Sequence, residues 1–113
     1  MNTLYKSIAS KLTTSGSTFI YSGSSGVTTL LKSVYCSNVT GSDSSIDVYV
    51  QKSGSADNVY IIKEALLPIQ SSLQPITEPI ILEEHDSLFV KAGHANRVDI
   101  FTWKIKSFKY DHT

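Results

Sequence analysis

Four groups of residues in this sequence are of types that do chemistry. The first is the run Glu83, Glu84, His85 and Asp86, the acidic stretch that carries a histidine. Carboxylates and imidazole are metal ligands. At a strand end, however, successive side chains point to opposite faces, so few of the four can converge on one ion. No second histidine or cysteine stands at ligand spacing, since His94 lies in the following turn and His112 in the tail. The run is expected to form a solvated turn, with no metal and no cofactor. The second group is Asp47 and Asp99, both at outward strand positions, which could be neighbours. Two carboxylates facing one cleft would suit glycoside hydrolysis, but nothing around these two implies a cleft. The third is Cys36, the one cysteine of the chain. It allows no intrachain disulfide, and a nucleophilic thiol needs a histidine and an activating environment that the sequence does not place beside it. A buried structural thiol is expected. The fourth is Lys104, Lys106 and Lys109, the nearest approach to a basic patch in a chain of formal net charge zero. A nucleic-acid groove needs a concentration of positive charge, so these are expected to be solvent-facing lysines on a last strand. No P-loop, dinucleotide fingerprint or nucleophile elbow is present. No catalytic residue is assigned, and the chain is expected not to be an enzyme.

These groups must be positioned by strands. At 113 residues the chain is one domain, long enough to bury a core without staples. Its charged fraction of 18% is low, and serine and threonine fill the gap. No stretch reaches the ~18 apolar residues of a membrane helix. The start, Met1-Asn2-Thr3-Leu4-Tyr5-Lys6, lacks the apolar core of a signal peptide, so the chain is expected to be made in a cytoplasm and kept or assembled there. Helical periodicity is nearly absent. Tyr5 to Leu12 reads as a short helix with Leu4, Ile8 and Leu12 in register, or equally as an extended arm. Strand patterns are dense: Thr18–Ser22, Thr29–Ser37, Ser45–Lys52, Val59–Glu64, Ser72–Ile76, Ile80–Glu83, Ser87–Ala92 and Val98–Lys106. Breakers separate them, among them Gly23–Gly26, Ser53–Asn58 and Ala92–Asn96. Asn38–Asp43 is expected to close a hairpin between its two strands. Pro68, Pro75 and Pro79 mark short edge strands, because proline cannot donate to a ladder. The expected fold is all-β: a single antiparallel β-sandwich of jelly-roll-like character with about eight short strands. Residues 1–27 would be an N-terminal arm and first strand, and 28–113 the sandwich body.

Alternation also assigns faces. Val34, Cys36, Ile46, Val48, Val50, Ile61, Leu82, Leu88, Val90, Val98 and Ile100 are the expected interior. From Leu88 to Ile105 a second face, carrying Phe89, Phe101, Trp103 and Ile105, is apolar as well, although one face of a small antiparallel sheet suffices for a core. Tyr35, Tyr49, Phe101 and Trp103 are expected to form a stripe on an outer sheet face. Three readings of that stripe compete. It packs under the chain's own N-terminal arm, it is a protein interface, since Trp and Tyr dominate interface hot spots, or it is a sugar-stacking platform. The interface reading names Leu4, Tyr5 and Ile8 of the arm together with Tyr35, Tyr49, Phe101 and Trp103.

One further pattern spans most of the chain. Lys32-Ser33-Val34-Tyr35-Cys36-Ser37-Asn38 is followed by Gly41 and by Ile46-Asp47-Val48-Tyr49-Val50. Later come Ala65-Leu66-Leu67-Pro68-Ile69, Ser72-Leu73, Pro79-Ile80-Ile81-Leu82-Glu83, Asp86-Ser87-Leu88-Phe89-Val90 and Ala95-Asn96-Arg97-Val98-Asp99-Ile100. From Thr29 to Ile105 this resembles a group of small β-sandwich virion proteins of tailed bacteriophages. The chain departs from that pattern at His85, where the turn usually has glycine, and at Gln70-Ser71, which replaces Ala-Gly. The resemblance implies a non-enzymatic structural role at the capsid surface, neck or tail. Its partners would be other virion proteins or symmetric copies of itself, with no nucleic acid and no membrane. A carbohydrate-binding or host-recognition module is the alternative.

Overall fold

The computed structural model describes residues 3–76 and 78–108. They form nine strands: β1 (Thr3–Leu12), β2 (Ser17–Ser22), β3 (Val27–Asn38), β4 (Ser44–Gln51), β5 (Val59–Leu67), β6 (Ser72–Leu73), β7 (Ile80–Leu82), β8 (Ser87–Ala92) and β9 (Val98–Phe108). Two antiparallel sheets pack face to face. Sheet A has the order β1-β9-β3-β6, with β7 also on the outer edge of β3, and sheet B has the order β2-β8-β4-β5. Successive strands switch sheets at nearly every step, and β4–β5 is the one hairpin within sheet B made by consecutive strands. This is the jelly-roll order.

All eight expected strands are present, and three expectations about their arrangement are corrected. Tyr5–Leu12 is neither a helix nor an arm. It belongs to β1, which pairs with β9 without interruption from Thr3 opposite Ser107 to Leu12 opposite Val98. The alternation that places Leu12 on the core side suits a strand as well as the four-residue spacing suits a helix, and β9 supplies the ladder. Asn38–Asp43 does not close a hairpin, because β3 and β4 lie in different sheets. Asn38 makes the crossing: its buried amide donates to the carbonyls of Ser42 (2.8 Å) and Leu67 (3.1 Å), and its oxygen accepts from the Thr40 amide (2.9 Å). The expected strand Ser72–Ile76 shrinks to Ser72–Leu73, since Pro75 has no amide proton to extend it.

The core lies between the sheets. Leu12, Leu31, Val34, Cys36, Leu82, Val98 and Ile100 from sheet A meet Ile46, Val48, Leu67, Leu88, Val90 and Ala92 from sheet B. Of the expected interior only Ile61 is not buried; it is half-buried. Bulges adjust which residues point inward. In β3 the register shifts between Leu31 and Ser33, so Lys32 is extra and the inward set passes from Thr29 and Leu31 to Val34 and Cys36. The edge strand β5 shifts twice against β4, which twists the edge away from regular pairing.

Candidate functional site

The outer face of sheet A carries a broad exposed apolar surface on regular strands. The register builds it row by row. Ile81, Leu30, Ile105 and Tyr5 lie side by side across β7, β3, β9 and β1, and Tyr35, Phe101 and Ala9 form a parallel row. Trp103 sits between the rows, opposite Ser7 and Ser33. Tyr5 is 68% exposed, Ile81 61% and Phe101 46%. Trp103 is half-buried, with Lys32 Nζ 5.8 Å from its ring centre. Since β1 lies in the plane of the sheet as an edge strand, it covers none of this face, which removes the reading in which an arm packs over it. Next to the Tyr35 and Phe101 rings a hollow of about 450 Å³ opens, lined also by Ala9, Ser37 and the exposed Lys11–Asp99 ion pair (3.0 Å). Ala9, small beside two rings, leaves that space.

The expected stripe is split by the fold. Tyr35, Phe101 and Trp103 share the outer face of sheet A, but Tyr49 is on the outer face of sheet B. There it is the centre of a ladder of four rings, one from each strand, that the sequence reading did not assemble. Phe19 meets Phe89 edge to face at 5.8 Å, Phe89 stacks on Tyr49 at 5.2 Å with planes 11° apart, and Tyr49 meets Tyr60 at 5.2 Å. Tyr49 is only 5% exposed, and its hydroxyl donates to Ser17 Oγ at 2.7 Å. Its neighbours cover Tyr49, while the end rings Phe19 and Tyr60 are exposed. Among the arm residues, Tyr5 joins the outer face of sheet A, whereas Leu4 and Ile8 alternate with it and lie on the inward side, Ile8 against the core.

The residues singled out for chemistry are occupied structurally. His85 takes the left-handed conformation, φ 66°, that glycine would supply without strain, and its amide donates to the Gly23 carbonyl at 2.8 Å. The turn around it is not wholly solvated. Asp86 is 1% exposed and accepts from Lys52 Nζ (2.6 Å), the Ser53 amide (3.0 Å) and the Glu83 amide (2.9 Å). Burial pushes the Asp86 carboxyl up, but the hydrogen bond from Lys52 and those from the two amides outweigh it and hold it below the usual carboxylate range. Lys52 is held above its ordinary value by the same contact and by Glu83 (3.1 Å). Asp47 and Asp99 are not neighbours, because they face outward from opposite sheets. Asp47 accepts from the Glu64 amide at 2.6 Å and fixes a β5 bulge in which Glu64 has φ 52°. Cys36 is buried as expected, and desolvation pushes its thiol up to about 12, which makes it inert.

The expectation that fails most plainly concerns the lysines of β9. Lys104 is 3% exposed and points between the sheets, with Nζ 3.9 Å from the centre of the Tyr21 ring. Lys106 is half-buried on the same face, 5.4 Å from that ring, and Lys6 on β1 is directly opposite Lys104. Burial, then the charges of Lys106 and Lys6, bring the Lys104 amine down to about 8. Lys109 lies outside the described residues. The signal was in the strand parity: Val98, Ile100 and Thr102 point inward, and Lys104 and Lys106 continue the same alternation. Compared with known proteins, the chain matches no family model and no curated protein.

Proposed function

We propose that this chain is a non-enzymatic structural subunit of a tailed-phage particle, assembled in the host cytoplasm, that associates through the outer face of sheet A. The observation that carries this reading is the two-row apolar face of Tyr5, Ile105, Leu30, Ile81, Tyr35 and Phe101, which no part of the described chain covers. A monomer rarely leaves so contiguous an apolar patch on a regular sheet, and aromatic residues are the ones that anchor protein interfaces. The jelly-roll order recurs in virus capsid proteins and the sequence resembles small virion sandwich proteins. Both are analogies that raise the reading without carrying it. The partner is a second copy of the chain, or a larger shell protein presenting the same chemistry.

Light scattering of the purified chain tests it. A concentration-dependent oligomer is expected, and Phe101→Ser with Trp103→Ala should return it to monomer with an unchanged circular dichroism spectrum. A wild-type chain that stays monomeric and also fails to pull its mass up on mixing with the shell proteins of its particle would sink the reading.

One observation favours a second reading, a glycan-binding module. Tyr35 and Phe101 border a hollow whose other wall is Lys11, Asp99 and Ser37, so rings that stack on sugars stand beside groups that bond hydroxyls. The self-stacked ladder of sheet B does not offer this. Loss of a glycan-array signal in Tyr35→Ala, with oligomeric state unchanged, would select the second reading over the first.

A further inference from the structure

Lysine ammonium groups in this protein are treated in two ways. Lys11 and Lys52 are exposed and each meets a carboxylate, Asp99 for the one, Asp86 and Glu83 for the other. Lys104 is buried, faces an aromatic ring and two further lysines, and has no carboxylate or hydrogen-bond acceptor among the described residues. A desolvated charge is costly unless it is paired, and like charges directly opposite across a ladder, as Lys6 and Lys104 are, repel. The Tyr21 ring face offsets part of this. Its hydroxyl is held by Thr29 Oγ1 at 2.6 Å, which fixes the ring under the amines. The cluster itself is not sealed: it runs from buried Lys104 through half-buried Lys106 to exposed Lys6.

We propose that Lys6, Lys104 and Lys106 form a binding site for a multiply charged oxyanion, a phosphate or sulfate group, at the Tyr21 end of the sandwich. Three lysines on the inward face of two paired strands, with no carboxylate bonded to them among the described residues, offer donors for such a group, and lysine binds phosphate as a point charge. The anion would supply the missing counter-charge to Lys104 and relieve the repulsion between Lys6 and Lys104. The site is on the inward side of sheet A. It is therefore separate from the outer face and stands whether or not that face assembles.

The test follows the Lys104 ε-methylene signal by NMR while inorganic phosphate is added at constant ionic strength, with chloride as the reference anion. Saturable movement of that signal is expected, with the titration of the amine displaced to higher pH. Lys6→Gln and Lys106→Gln should each weaken binding about tenfold, on the scale of a charge-assisted contact, and Lys104→Met should abolish it. Lys6 is exposed on an edge strand, so its variant keeps the fold if the Lys104 variant does not. A sugar phosphate and the matching sugar sulfate are then compared, and the tighter of the two names the source of the group. Shifts that are equal in chloride, or phosphate binding that survives Lys104→Met in a folded protein, would overturn the proposal.

Discussion

Asp86 and Lys104 are both buried and both charged, yet the fold handles them oppositely. Asp86 receives a lysine and two amides, so Asp86→Ala should lower stability by about 2–4 kcal/mol, mostly through donors left unmet. Denaturant midpoints measure this. Because the folded carboxyl is held below its ordinary value, its contribution is in place above the usual carboxylate range and is lost as pH falls through the lowered value. Lys104 has the reverse sign. Its folded amine sits at about 8 against 10.5 for an ordinary lysine, so the unfolded chain holds the extra proton between those values and stability rises with pH. The gain should be on the order of 1–2 kcal/mol once water near the amine and the Tyr21 ring are allowed for. Thermal melts between pH 8 and 9 should show it, and Lys104→Met should flatten that slope. Above about 9 a second group opposes the trend: Cys36 ionises in the unfolded chain long before its folded value of about 12. Of these residues the sequence made Cys36 readable and hid the other two. Burial of a thiol follows from its strand neighbours. Asp86 looked like one of a solvated run because two of its three donors, the Lys52 amine and the Ser53 amide, come from a segment distant in sequence. Lys104 was assigned outward by residue type when parity placed it inward.

At the level of elements, β1 is the strand whose role changes most between sequence and structure. Ten residues pair with β9 on one side and, among the described residues, with nothing on the other. Amide exchange should therefore protect alternate residues of β1 and leave those between them fast, whereas an undocked arm would exchange throughout. Strand positions were legible because alternation and turn residues are local properties. Partnering was not, because nothing local says whether the strand after a turn returns to its own sheet or crosses to the other. Asn38 decides the crossing after β3, and it does so by bonding Leu67, a contact far along the chain. The same gap split the aromatic stripe. Tyr35 and Tyr49 each face outward, as alternation indicated, but from different sheets. The bulge at Lys32 also escaped notice, although the break in alternation from Leu31 to Val34 marks where it occurs.

For the molecule as a whole, the two outer faces have different characters. That of sheet B carries a stacked ring ladder whose end rings, Phe19 and Tyr60, are exposed, and that of sheet A carries two apolar rows beside a hollow. Removing one buried aromatic at an assembly contact forfeits about 1.5–3 kcal/mol, so Phe101→Ser alone should weaken association roughly tenfold to a hundredfold, read as a shift of the mass transition to higher concentration. Phe19→Ser on sheet B should leave the mass unchanged. The placement of β9 has another result. It lies between β1 and β3 and holds both, while in sequence it follows every other strand. Sheet A therefore cannot form until nearly the whole chain is present, and its closure joins segments some ninety residues apart (Leu12 to Val98 at the nearest). Only β4 and β5 can pair early as neighbours in sequence. Such non-local order makes folding slow, on the order of milliseconds to seconds. Pulse-labelled exchange during refolding should find amides of β4 and β5 protected before any in β1. Until the last strand docks, the first is an unpaired ribbon, and the interval in which it must avoid its neighbours is set by the time the final segment takes to arrive.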